Sequence, residues 1–174
     1  MFRHLMKLLA TVFMATTMVT AVPTASAQQG PVTCGVSGEA GFQPSVLLVP
    51  RQSRLTLDGD EAACIDADGE VAAASFQGIA DGVLSCLGSP EGTSGRGQIS
   101  WTLDDGTVET STVDFVLAGT SLAHVELTGF VIAGRYEGER FTAQFNVEII
   151  NPGVRCATFL GVDSAGYEGT FSIG

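Results

Sequence analysis

Beyond residue 27 the chain has no lysine and no methionine, and it has one histidine. Each shortage excludes something. A Ser, His and Asp hydrolase needs an imidazole to take the nucleophile's proton. The lone candidate, His124, stands between Ala123 and Val125 on the polar side of an alternating stretch, the usual setting of an idle surface histidine. No G-x-S-x-G elbow accompanies it. No C-x-x-C pair occurs, so the cysteines lack zinc-ligand spacing and no metal or cofactor is expected. No apolar stripe at i, i+3, i+4, i+7 persists with helix caps, which leaves room for a helix of a turn or two at most. Positive charge is scarce as well: six arginines face 19 acidic residues beyond residue 27, a net charge of −13. Such a surface repels phosphate backbones and anionic lipid, so neither nucleic acid nor a membrane is an expected partner.

What is present begins with an export signal. Arg3, His4 and Lys7 form a basic start, an uncharged apolar stretch runs from Leu8 to Val22, and Pro23 breaks it before Ala25-Ser26-Ala27. That order is a secretory signal peptide, residues 1–27, with cleavage before Gln28. A bilayer span wants ~18 or more apolar residues, and this shorter stretch is interrupted by Thr11, Thr16, Thr17 and Thr20. No cysteine follows the cleavage site and no twin arginine precedes the apolar run. The expected product, residues 28–174, is a single secreted, extracellular domain, soluble and monomeric, long enough to bury a core.

Its four cysteines, Cys34, Cys64, Cys86 and Cys156, form an even set in an exported chain, and two disulfides follow. Three pairings are open. The pairing of Cys34 with Cys64 and of Cys86 with Cys156, in which neither loop crosses the other, is preferred.

The apolar period is two along most of the chain, with turn residues between runs. Ile99, Trp101 and Leu103 alternate with polar residues, and Asp104-Asp105-Gly106 supplies a hairpin turn. Val113, Phe115 and Leu117 share one face of the next run; Val125, Leu127 and Val131 follow. Phe141, Ala143, Phe145, Val147 and Ile149 form the most regular run, closed by Pro152-Gly153, and a last strand passes through Tyr167, Gly169, Phe171 and Ile173. Weaker alternation comes earlier, at Leu55 and Leu57 and at Ala72, Ala74 and Phe76. The reading is all-β: an antiparallel meander of about seven to nine strands closing into a barrel or a strongly bent sandwich. The segment Gly88–Gly95, beside Cys86, reads as an exposed loop pinned by a disulfide.

The stretches Gly97–Trp101 with Asp105-Gly106, then Thr128–Gly138, then Cys156 with Gly166–Ile173, resemble an uncharacterised family of small exported β-proteins from high-GC Gram-positive bacteria. The resemblance covers the chain from Gly95 onward. It implies an exported β-protein and carries over no catalytic or binding residue.

Paired carboxylates run glycoside hydrolysis without histidine, and Glu126 and Glu148, with Asp114 nearby, are the candidates. Asp58-Gly59-Asp60-Glu61 and Asp66-Ala67-Asp68-Gly69-Glu70 alternate carboxylates with turn residues as calcium loops do, but lack the full ligand pattern. A closed sheet also offers a cavity, for which Trp101, Phe115, Phe130, Tyr136, Phe141, Phe145 and Tyr167 are available linings. Trp101, Arg135, Tyr136 and Tyr167 are the candidate contacts for a small ligand or an extracellular protein, with Tyr136, in a turn, the aromatic expected to be exposed. The function expected is a secreted non-catalytic β-domain that binds or builds extracellular structure. A carboxylate-dependent, glycosidase-like enzyme and a protease inhibitor acting through the Pro90–Gly95 loop are the alternatives.

Overall fold

A computed structural model describes residues 32–88, 90, 92–148 and 156–174. The segment 1–27, read as an export signal, lies outside the described residues, as do Ile149 and Pro152-Gly153. Nine strands follow in order: β1 (Val32–Val46), β2 (Arg51–Gly59), β3 (Ala62–Asp66), β4 (Val71–Leu84), β5 (Ser94–Leu103), β6 (Val108–Ser121), β7 (His124–Gly134), β8 (Arg140–Glu148) and β9 (Val162–Ile173). All pair antiparallel within one sheet.

From β4 to β9 each strand pairs with the next in sequence, the expected meander. The long first strand then closes the sheet. One edge of β1 pairs with β9 from Val32↔Ile173 to Gly41↔Ser164. Its other edge is shared, with β3 on the first half (Cys34↔Cys64) and β2 on the second (Phe42↔Leu55). Both β2 and β3 pair in turn with β4. Hydrogen bonding therefore runs around a ring, with β2 and β3 end to end filling the gap between β1 and β4. A closed ring leaves few unpaired backbone edges, the usual hazard of an isolated sheet.

Alternation decides which side chains enter the ring. In β8, Phe141, Ala143, Phe145 and Val147 are buried while Thr142, Gln144, Asn146 and Glu148 are exposed. β2 does the same with Leu55 and Leu57. The interior is packed with rings: Phe76 lies 5.6 Å from Phe141, 6.0 Å from Phe115 and 6.3 Å from Phe171, and Phe145 meets Tyr167 at 5.1 Å. Room for Phe76 comes from its neighbours. A Cβ on Gly97 would sit 2.5 Å from the Phe76 ring, so only a residue without a side chain lets that ring lie against β5.

Both disulfides have the preferred pairing, Cys34–Cys64 and Cys86–Cys156. The first joins residues directly opposite in the β1–β3 ladder. The turn at Asp104-Asp105-Gly106 is also present, with Gly106 at φ 82° and Asp105 accepting hydrogen bonds from Thr107 N and Oγ1.

Three expectations are corrected. Ala72 faces solvent rather than sharing the inward face with Ala74 and Phe76, because a bulge between Val71 and Ala73 shifts the phase of β4. Phe130 is 57% exposed and lines no interior, because it alternates along β7 with the inward-facing Val125, Leu127 and Val131 and therefore faces out. The supposed loop Gly88–Gly95 is shorter: Ser94 and Gly95 belong to β5, Pro90 and Thr93 are buried, and Thr93 N donates to Pro90 O at 3.2 Å.

Candidate functional site

The four candidate contacts are found inside the protein. Trp101 is 0% exposed, Tyr167 3% and Tyr136 5%, and the Arg135 side chain 6%. Tyr136, expected to be exposed, is the clearest correction. Its backbone takes φ 64° in the turn after β7, and its ring folds over Trp101 with centroids 5.2 Å apart and planes at 68°. Sequence reasoning placed it correctly in a turn but could not see that the turn bends inward over the mouth of the sheet.

Arg135 holds this lid in place. Its guanidinium lies 5.0 Å from the Tyr136 ring centroid and reaches Glu70 at 2.6 Å and Glu109 at 3.0 Å. The carbonyl of Arg135 accepts a hydrogen bond from Ser111 Oγ, which itself accepts one from Trp101 Nε1 at 2.8 Å. The arrangement is an end cap: a cation bridging the carboxylates of the β3–β4 turn and of β6 beside a buried indole. Burial opposes the charge of the guanidinium, but Tyr136, Glu70 and Glu109 together outweigh it and hold the group protonated, and burial pushes the Tyr136 hydroxyl up from its ordinary range.

Tyr167 faces inward from β9. Burial, with Asp58 and Asp60 nearby, raises its hydroxyl well above the ordinary phenol range, and the buried Oη has no hydrogen-bond partner.

The surface features lie on the outside of the ring. A groove of about 750 Å³ crosses the outer face of β4 to β8. Its apolar walls are Ile79, Val116 and Phe130, and its floor is the inward-facing row of Gly95, Phe115 and Gly129. Ladder register explains the grouping: Ile79↔Arg96, Arg96↔Asp114, Asp114↔Phe130 and Phe130↔Arg140 form one continuous row across five strands. Sequence reasoning missed this row, because alternation assigns a residue to a face without saying which residues on other strands stand beside it.

On β1, β2, β8 and β9 the outer face is acidic. Glu39, Asp58, Asp60, Glu148 and Glu168 line a cleft of about 480 Å³, and Gly166 stands between Glu39 and Glu148 in the ladder. Among the described residues no cluster of His, Cys, Asp or Glu is arranged to hold a metal ion. In the segment Asp66–Glu70, Asp66 accepts hydrogen bonds from the backbone N–H groups of Asp68, Glu70 and Val71, so its carboxylate organises its own turn.

The glycosidase pair is not brought together. Glu126 stands opposite Gln144 on β8, and Glu148 lies four residues further on, ~13 Å along the strand. At the backbone that is wider than the ~5 to 9.5 Å between the carboxyl groups of two-carboxylate hydrolysis, and the two residues line different clefts. Asp114 is tied to Arg96 at 2.6 Å, and the hydrogen bond from that guanidinium holds its carboxyl pKa below the usual carboxylate range. His124, exposed as expected, is hydrogen-bonded through Nδ1 to Asn146 Oδ1 at 2.8 Å.

A second apolar surface occupies the end of the ring opposite Arg135. There the segments flanking β1, β4 and β9 expose Leu48, Val49, Leu87, Phe159 and Leu160, drawn together by the Cys86–Cys156 bridge and by Cys86 N donating to Leu47 O at 2.9 Å.

Set against known proteins, the chain matches no family model, no curated protein and no solved structure.

Proposed function

We propose that residues 28–174 form a secreted, non-catalytic β-module that acts by binding, through the groove on the outer face of β4 to β8 rather than through the interior. The observation that carries this reading is the division of the molecule: aromatic rings occupy the inside of the closed sheet, while the groove outside combines exposed apolar walls with charged ends. Binding sites combine apolar surface with a few placed polar groups in this way. Secretion is supported by the pattern of residues 1–27 and by two disulfides, which persist in oxidising compartments. In this reading the closed sheet is a barrel-like scaffold whose job is to hold the outer row rigid, and the module works as a monomer. The wide separation of Glu126 and Glu148 weighs against the carboxylate enzyme, and burial of Pro90 and Thr93 weighs against an inhibitory loop.

The test is a fragment screen on the isotope-labelled domain, residues 28–174, read by amide chemical shifts. Hits should cluster on Gly95, Val116, Thr128, Gly129 and Phe130. Hits confined to residues around the buried Phe76 and Phe141, or glycoside hydrolysis lost in Glu148→Gln, would overturn the reading.

A further inference from the structure

The chain from residue 28 has six cations against 19 anions, so the placement of each arginine is informative. Among the described arginines, Arg51 donates to Ser45 O, Arg54 pairs with Asp81, Arg96 with Asp114, and Arg135 with Glu70 and Glu109. Arg140 differs. Its backbone carbonyl accepts from Gly174 N, but its guanidinium has no hydrogen bond or ion pair among the described residues. It stands at one end of the outer groove, directly opposite the exposed ring of Phe130.

Resting on the binding function proposed above, the geometry points to a small amphipathic carboxylate, an acid with a flexible apolar tail, as the groove's ligand. The head would meet Arg140 and the tail would lie along Phe130, Val116 and Ile79. Arg140 and Ile79 are four strand positions apart, ~19 Å across the sheet, and between the outer rows through Phe130 and Val116 the floor is the inward-facing row of Gly95, Phe115 and Gly129. The other charges lining the groove are paired, Arg96 with Asp114 and Asp81 with Arg54, so among the described residues Arg140 is the groove's one unspent charge. A guanidinium fork matches a carboxylate through two parallel hydrogen bonds. A single negative charge is also what this protein tolerates, since a dianionic phosphate would meet stronger repulsion from the surplus of acids. The same surplus opposes a second copy of the chain as occupant.

The experiment titrates labelled residues 28–174 with decanoate below its micelle concentration, and with decanol as the neutral twin, in the wild type, Arg140→Gln and Phe130→Ala. Both replaced side chains are exposed, and amide dispersion checks that each variant is folded. Decanoate should shift the amides of Val116, Thr128, Gly129 and Phe130 saturably and bind about five-fold tighter than decanol at low salt, the range of an exposed ion pair. Arg140→Gln or added salt should remove that advantage, and Phe130→Ala should weaken both ligands. Equal binding of the two ligands overturns the carboxylate inference while leaving the groove as a binding site. Shifts confined to Leu48, Leu87 and Phe159, or no shift at all, overturn both. Groove shifts that follow protein concentration instead of ligand mark a second copy and overturn the inference.

Discussion

Trp101 Nε1 donates a 2.8 Å hydrogen bond to Ser111 Oγ inside the closed sheet, although the two residues are not directly opposite in the β5–β6 ladder. The same hydroxyl donates to the carbonyl of Arg135. One small side chain thus ties an inner strand face to the turn that covers it. Ser111→Ala leaves a buried indole N–H and a carbonyl without partners, and should cost about 1 to 3 kcal/mol. Urea unfolding followed through the fluorescence of the one tryptophan measures it.

Arg135 and its two acids should respond asymmetrically to mutation. Glu70 and Glu109 are about half exposed, whereas the arginine side chain is buried. Removing the cation in Arg135→Met leaves carboxylates that water can solvate. Removing both anions in Glu70→Gln/Glu109→Gln strands a buried guanidinium, the costlier outcome, at about 3 kcal/mol or more. Chemical denaturation of the two variants compares them, and the double variant should be the less stable.

Both tyrosines of the chain are buried and both hold their protons above the ordinary range. An unfolded tyrosine loses its proton near pH ~10. The folded form keeps it longer, so the stabilisation is complete below pH ~10 and is lost as pH rises above that value. Absorbance at alkaline pH should show no phenolate with an ordinary midpoint, and the signal should arrive with unfolding. Tyr167→Phe, which deletes a buried hydroxyl without a partner, should leave stability unchanged or raise it by up to about 1 kcal/mol.

The two disulfides should contribute unequally. Cys86 and Cys156 are separated by 70 residues and Cys34 and Cys64 by 30. On loop-closure entropy their loss as paired Cys→Ala variants costs about 4.4 and about 3.6 kcal/mol. Thermal unfolding should therefore show the larger drop for Cys86→Ala/Cys156→Ala, and the variant should release the apolar segments around Leu87 and Phe159.

The strands were the most legible part of the protein. A period of two is a local property, so the inward faces of β8 at Phe141 and Phe145 and of β6 at Val113 and Phe115 could be read directly. Where the phase slips, the reading slipped with it: Ala72 sits at a bulge that inserts one residue and exchanges the faces. The candidate contacts were less legible. Aromatic residues in a closed sheet satisfy the same pattern whether they surround a cavity or fill it, and the filled interior placed Trp101 and Tyr167 in the core.

By itself the sequence determined an antiparallel sheet, its inward residues and its charge, because alternation and turn residues act over a few neighbours. The tertiary structure alone decided that β1 would bridge β9 to both β2 and β3, that Tyr136 would close one end, and that Arg140 would stand beside Phe130 with no acid paired to it among the described residues. Those relationships depend on ladder register between strands distant along the chain, and register follows from how the whole set of inward side chains packs together.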